Sequence, residues 1–323
     1  MLTILLSAPY MIPFLERFHP IFNQYDLDLI IPTVEERLEE YQILEYAGDF
    51  DGTICGDDQY SANVLRACSP RLRVISKWGT GIDSIDSRTA KDLGIRVFRT
   101  PNAFTLPVAD TVLGYVLAFA RRQPWMDQRV KMGYWEKLPG RSLSECTLGV
   151  VGVGNIGKAV LERAQAFGME LLGNDIIEIN QEFIEETGVE MISLVDLLSR
   201  ADFVSINCDL NPTSYHLINK ESFANMKSNA VLINTARGQV IDEPALVSAL
   251  QVGDIAGAAL DVFEMEPIPS NSPLLQMDNV MLAPHNANSS PTAWEHIHWN
   301  TIRNLLDGLE IPYEIDEFNH AGW

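Results

Sequence analysis

Short apolar runs alternate with longer mixed segments from the N-terminus onward. Residues 2–8 (LTILLSA), 27–32 (LDLIIP), 52–55 (GTIC), 72–78 (LRVISKW) and 95–100 (IRVFRT) read as strands, with Asn, Asp, Gly or Pro at most junctions. That is the rhythm of βαβ units. Beyond Pro101 the texture changes. Residues 108–122 (VADTVLGYVLAFARR) form a long helical pattern, apolar nearly all round, that needs a large surface to bury it, either its own core or a second subunit. Residues 123–143 read as a Trp-containing linker. A new βαβ series opens at 146–154 (CTLGVVGVG) and continues through 169–175, 202–210, 230–238, 255–263 and 279–285. Residues 291–309 are helical again and too few for a domain, so they are expected to pack back on one of the two α/β units.

Length agrees with that division, since 323 residues correspond to about two domains. Charge narrows the partners. With 23 Lys and Arg against 44 Asp and Glu, the net charge of −21 would repel a phosphate backbone over the whole surface, which excludes nucleic acid and disfavours anionic membranes. An anionic substrate then needs a local positive site working against the global field. Cys55, Cys68, Cys146 and Cys208 are scattered, without metal-ligand spacing, and read as reduced thiols of a cytoplasmic protein with no bound metal. The apolar opening lacks a basic region and a cleavage site, and no uncharged apolar stretch is long enough to span a membrane. It reads as a first buried strand.

One segment announces a ligand. After the strand in 146–151 come Gly152, Gly154, Asn155, Ile156 and Gly157 in the order G-x-G-N-I-G, then a helix, then a second strand ending at Asp175. Gly152 suits a tight turn, Gly154 the close approach of a pyrophosphate, and Gly157 close helix–strand packing, while the helix N-terminus supplies N–H donors. Asp175 stands 18 residues after Gly157, close to the spacing at which a carboxylate meets the ribose hydroxyls. It would repel a 2′-phosphate, so the expected cofactor is NAD rather than NADP.

Three polar residues fall where strands of the second series should end: Arg237, Glu266 and His285. Taken singly they are a loop arginine, a turn glutamate before Pro267 and a histidine capping a strand. Together they are the types that reduction of a 2-oxo acid requires. A guanidinium clamps the carboxylate, an imidazolium delivers the proton, and a carboxylate behind it orients the ring and favours its charged form.

The blocks WGTGIDSID, PNAFTLPVAD, GVVGVGNIG, NTARGQVIDEPAL, LDVFEMEP and PLLQMDNVMLAPH, from Trp78 to His285, resemble the D-isomer-specific 2-hydroxyacid dehydrogenases, which include phosphoglycerate, glycerate/hydroxypyruvate and D-lactate dehydrogenases. The resemblance implies two Rossmann-like doubly wound parallel-sheet domains with the active site in the cleft between them. Residues 1–100 plus 285–323 would form the catalytic domain and 101–284 the NAD-binding domain. It also implies a homodimer, formed through the long helix near 103–122 and the linker after it. Carried over by position, Arg237 binds the substrate carboxylate, His285 transfers the proton and Glu266 partners His285. NAD would lie against Asn155, Ile156 and Asp175, near Cys208, at Thr235 and Ala236, and at Asp261, whose carboxylate would meet the nicotinamide amide. Thr80, with the backbone of Gly79 and Gly81, matches the loop that meets the substrate carboxylate and reaches toward the cofactor, and Lys77 stands where phosphoglycerate dehydrogenases use an arginine.

Departures from the family pattern bear on the substrate. Asn286, Ala287 and Asn288 replace a run of small residues after the histidine, and Cys55, flanked by Asp57 and Asp58, replaces another arginine of the phosphate site. Glu266 separates the chain from the formate dehydrogenases of the superfamily, which carry Gln there. A rival reading is an NAD-sensing interaction protein, like the corepressors related to this family. His216, His296, His298 and His320 have no motif context, Trp294 and Trp299 read as packing of the tail, and residues 306–318 read as a solvated acidic end.

Overall fold

The computed structural model describes residues 1–314. The chain divides into two compact units: Met1–Phe104 with the segment from Ser290 onward, and Thr105–Ser289. These boundaries fall a few residues beyond the expected 100/101 and 284/285. The reason is local. The long helix begins at Thr105, and the turn after the last strand is tied back to Asp261 of its own sheet, so His285 belongs with Arg237 and Glu266.

In the first unit, strands β1 (Leu2–Leu6), β2 (Leu27–Ile30), β3 (Gly52–Cys55), β4 (Val74–Lys77) and β5 (Arg96–Phe98) form a parallel sheet in the order β2-β1-β3-β4-β5. Alternation sorts the side chains to two faces. Ile4 and Leu6 join Phe18, Phe22, Ile297 and Leu305 on one face, whereas Leu5 joins Cys55, Val64 and Ile75 on the other. A register slip of one residue would exchange these sets. The C-terminal helix Pro291–Leu309 is capped by the Ser290 side chain and covers β4. Ser76 Oγ donates to Thr301 O at 2.7 Å, and Trp78 Nε1 donates to His298 Nδ1 at 2.9 Å. Burial pushes the His298 pKa down to about 4, which keeps the ring neutral and able to accept. Trp294 and Trp299 pack in this unit, 5.4 Å from Tyr10 and edge-on at 5.0 Å to Phe18. The expected solvated end is corrected in part, because Leu306 and Leu309 continue the helix's buried stripe. Residues 315–318, like His320, lie outside the described residues.

The second unit has seven parallel strands, β6 (Thr147–Val151), β7 (Glu170–Asn174), β8 (Glu190–Met191), β9 (Phe203–Ile206), β10 (Val231–Asn234), β11 (Gly257–Leu260) and β12 (Val280–Leu282), in the order β12-β11-β10-β9-β6-β7-β8. Central β6 is buried on both faces. Leu148 and Val150 pack with the long helix Thr105–Arg121 and with helix Asn155–Ala166, while Val151 packs on the opposite side with Leu246 and Leu250. The long helix therefore spends most of its apolar surface, including Val112, Leu113 and Val116, on its own core. Residues expected to be linker contain a further helix, Gln123–Lys131, with Pro124 in its first turn. After it, Met132, Tyr134 and Trp135 are exposed, Trp135 by 92%.

Asp202 links the starts of β6 and β9. It is 5% exposed, accepts from Thr147 N at 2.9 Å, and pairs with Arg141 at 2.9 Å and Lys227 at 3.3 Å. Burial alone would raise its pKa, but the Arg141 hydrogen bond, the Thr147 N–H and the Lys227 charge outweigh it and bring the value to about 2. Because the folded pKa lies below the unfolded one, the stabilisation is complete well above pH 4 and is lost as pH falls toward 2. We expect Asp202→Asn to cost about 2 kcal/mol in urea unfolding at pH 7 and roughly half that at pH 3. An equal cost at both pH values would show that the charge is not what stabilises.

Candidate active site

The carboxyl edge of the second sheet gathers most of the residues singled out in the sequence. Its strand order reverses between β6 and β9, and a parallel sheet binds ligands at such a switch point. Gly152 follows β6 with φ +89°, and a Cβ there would stand 2.5 Å from Cys208 N, just beyond β9. A Cβ on Gly157 would lie 2.1 Å from Gly152 O, so helix Asn155–Ala166 can start this close only on glycine. Gly154 is different, since a Cβ there meets nothing within 4 Å. The space in front of the helix N-terminus, opened by Gly154 and edged by Asn155 and Ile156, fits a dinucleotide pyrophosphate.

Two further observations agree with that fit. Thr235 Oγ1 and Asn207 Oδ1 are buried without a hydrogen-bond partner among the described residues, and both follow strands at this edge. Thr235 was expected, whereas Asn207 was missed; its signal was a polar residue directly after the apolar run of β9. Asp175 ends the strand region after β7 and turns toward the glycine turn, accepting from Val153 N at 2.6 Å and Ile177 N at 3.1 Å.

Beyond β10, Asn234 builds the turn that carries Arg237. Its side chain donates to Arg237 O at 2.9 Å and accepts from Ala236 N at 3.0 Å. Asn234 is fully buried and was also missed, although a polar residue ending the run VLIN marks it. The Arg237 guanidinium donates to Ala236 O at 2.8 Å. Beyond β12, His285 sits at φ +50°, a conformation that His adopts more readily than most residues, and its N–H donates to Asp261 O at 2.8 Å. The Asp261 carboxylate is 1% exposed and accepts from Asn286 N and Ala287 N, both at 2.8 Å, so in this structure it fixes the histidine's turn. Burial raises its pKa and those two N–H groups oppose the rise.

Glu266 completes the set. Its Oε2 lies 2.9 Å from His285 Nδ1, and its Oε1 accepts from Phe263 N at 2.9 Å. With Nδ1–H directed at the carboxylate, Nε2 is the ring nitrogen left for proton exchange. The arrangement can hold an imidazolium, orient it, and present a guanidinium on a neighbouring turn.

In the first unit, Lys77 ends β4, and Gly79, Thr80 and Gly81 follow it. Thr80 Oγ1 donates to Thr100 O at 2.8 Å, and Thr100 N donates to Gly79 O at 2.8 Å, which ties this loop to the chain after β5. Lys77 is 3% exposed and pairs with Asp57 at 2.9 Å. Asp58, fully buried, accepts from Leu38 N at 2.7 Å and from the Ser7 hydroxyl; burial raises its pKa to about 6.

Known proteins give this geometry a family. The family model described as "D-isomer specific 2-hydroxyacid dehydrogenase, NAD binding domain" matches residues 113–287. A glyoxylate reductase from Korarchaeum cryptofilum is 42% identical, over 82% of this chain and 81% of its own. A hydroxypyruvate reductase from Thermotoga maritima is 34% identical, over 90% and 94% of the two chains. The crystal structure of D-lactate dehydrogenase from Aquifex aeolicus, complexed with NAD and lactic acid, is similar with a TM-score of 0.83 at 28% identity, covering 97% of this chain and all of that one. With the glycine turn, the histidine–carboxylate pair and the two parallel sheets in place, the chain belongs to the D-isomer-specific 2-hydroxyacid dehydrogenase family and is an NAD-dependent oxidoreductase.

Proposed function

We propose that the protein reduces a small unphosphorylated 2-oxo acid of the glyoxylate or hydroxypyruvate class, with Arg237, His285 and Glu266 as its working residues. The observation that carries this reading is the 2.9 Å contact between His285 Nδ1 and Glu266 Oε2, on the sheet edge that also bears the Arg237 turn and the glycine turn. Bound NADH supplies the hydride that the carbonyl carbon receives. His285 Nε2 gives its proton to the carbonyl oxygen as negative charge develops there, and in the reverse direction the neutral ring takes it back from the hydroxyl. Glu266 holds the ring and stabilises its charged form. Arg237 offers planar paired donors to the carboxylate and draws electron density from the adjacent carbonyl.

The substrate class is supported by the names of the relatives and by Lys77. That buried cation is already paired with Asp57, and Asp58 stands beside them, so the charge at this strand end does not favour a phosphate. The test is NADH oxidation over glyoxylate, hydroxypyruvate, pyruvate, branched 2-oxo acids and phosphorylated 2-oxo acids. Glyoxylate or hydroxypyruvate should give the highest kcat/KM. Preference for a phosphorylated acid would overturn the substrate class, and negligible turnover of the whole panel with NAD-dependent oligomerisation would favour a sensing role instead.

Cofactor choice follows from Asp175. NAD should outperform NADP, and Asp175→Ser should narrow the ratio by about tenfold, because a 2′-phosphate no longer meets a carboxylate. The variant should also bind NADH more weakly, since Val153 N loses its acceptor. Steady-state rates with both cofactors check this; equal use by the unaltered enzyme would remove Asp175 from the selection.

A further inference from the structure

Glu264 lies two residues before Glu266 and has no part in the reaction as derived, yet both its side chain and its backbone are bonded to neighbouring segments. Its Oε1 lies 2.7 Å from His216 Nε2 and accepts from Glu243 N at 3.2 Å. Its N–H donates to Glu243 Oε2 at 3.1 Å, and its carbonyl accepts from Gln239 Nε2 at 3.0 Å. The two glutamates thus bracket each other at the start of helix Glu243–Val252. His216 is held in turn, because its N–H donates to Gln239 O at 2.9 Å and its ring stacks on Tyr215 at 4.1 Å.

The bracket joins two pieces of the active site. Phe263 N, one residue before Glu264, is the donor to Glu266 Oε1. On the other side, Gly238 follows Arg237, and a Cβ on Gly238 would fall 1.9 Å from Phe263 C and 2.3 Å from Glu264 N. The backbone of the arginine's turn therefore lies directly on the backbone that anchors the histidine's carboxylate, with no room for a methyl group. We propose that Glu264, bracketed by Glu243 and braced by His216, is a positioning residue that fixes Arg237 and Glu266 relative to each other. It acts through the Arg237–Glu266–His285 reading above and rests on it.

Loosening this contact should displace the guanidinium and the carboxylate together, and misplacement of about 1 Å near reacting groups can cost on the order of 100-fold. Glu264→Ala should therefore lower kcat/KM for the preferred 2-oxo acid by about 10- to 100-fold, through both a lower kcat and a higher KM. The alkaline limb of the reduction profile should move to lower pH, because the imidazolium is held less well, while NADH affinity measured by fluorescence stays within about twofold. Glu264→Gln, which keeps an oxygen for His216 and Glu243 N, should recover most of the loss. Unaltered kcat, KM and pH profile in Glu264→Ala would overturn the proposal, as would a loss matched by lost NADH binding. Should Glu264→Ala not fold, His216→Phe keeps the stack on Tyr215 and removes one bond; it should lower kcat about threefold to tenfold with the same displacement of the limb, and wild-type kinetics there would overturn the proposal. His285→Ala measured in parallel separates the two readings. If it is inactive while Glu264→Ala is normal, only the positioning role falls; if it is fully active, the proton-transfer reading falls and the positioning role with it.

Discussion

His285→Ala should slow 2-oxo acid reduction by roughly 10²- to 10⁴-fold while leaving NADH binding within about twofold. The chemistry loses its proton donor, but the glycine turn proposed to hold the pyrophosphate follows β6 and is built without the imidazole. His285→Asn is the better control, because asparagine favours the φ +50° conformation more than alanine does and still removes the proton carrier. Both variants should be equally slow. Glu266→Gln isolates the partner. Without the carboxylate the imidazolium loses its proton at lower pH, so the alkaline limb of reduction moves down, and so does the acidic limb of hydroxyacid oxidation, which needs the neutral ring. Overlaying profiles in the variant and the wild type would take Glu266 out of proton transfer, and a His285→Asn enzyme with normal turnover would take out His285.

Arg237→Lys should lower kcat/KM by about tenfold to a thousandfold, equivalent to about 1.4 to 4 kcal/mol of transition-state stabilisation. The charge survives, but the planar fork does not. Since the turn is built by Asn234 and by the backbone of residue 237, the substitution should not unfold it. The loss should therefore appear in the kinetics while the unfolding midpoint stays near that of the wild type. Kinetics close to wild type would mean that the carboxylate is held elsewhere.

Every strand except β8 was legible as a short apolar run bounded by turn residues, whereas β8 is only two residues long and one of them is Glu190; the glycine turn was legible because close backbone approach admits only glycine at 152 and 157. Other features were hidden for physical reasons. The five-stranded order of the first unit depends on which strands pair, and pattern alone does not encode that. Helix Gln123–Lys131 buries none of its residues, so it lacks the apolar stripe by which helices are recognised. Asp261 has the expected residue type at the expected strand end, but its two bonds to Asn286 and Ala287 arise only once β11 and β12 are adjacent. The Glu264 bracket likewise joins residues 216, 239, 243 and 264, which carry no motif as a set. Sequence types singled out the proposed reacting groups; the groups that hold them became visible through tertiary contact.

The helix that closes the first sheet consists of residues 291–309, whereas the strand it covers ends at Lys77. Translation therefore delivers β4 more than two hundred residues ahead of Thr301, the acceptor for Ser76. During that interval the whole of the second unit leaves the ribosome, and its sheet and both its faces are continuous in sequence. Phe18 and Phe22 reach the face of β1 early, but the part of that face on β3, β4 and β5 that awaits Ile302 and Leu305 stays uncovered until the helix is made, which leaves apolar surface of the nascent first unit open longest there.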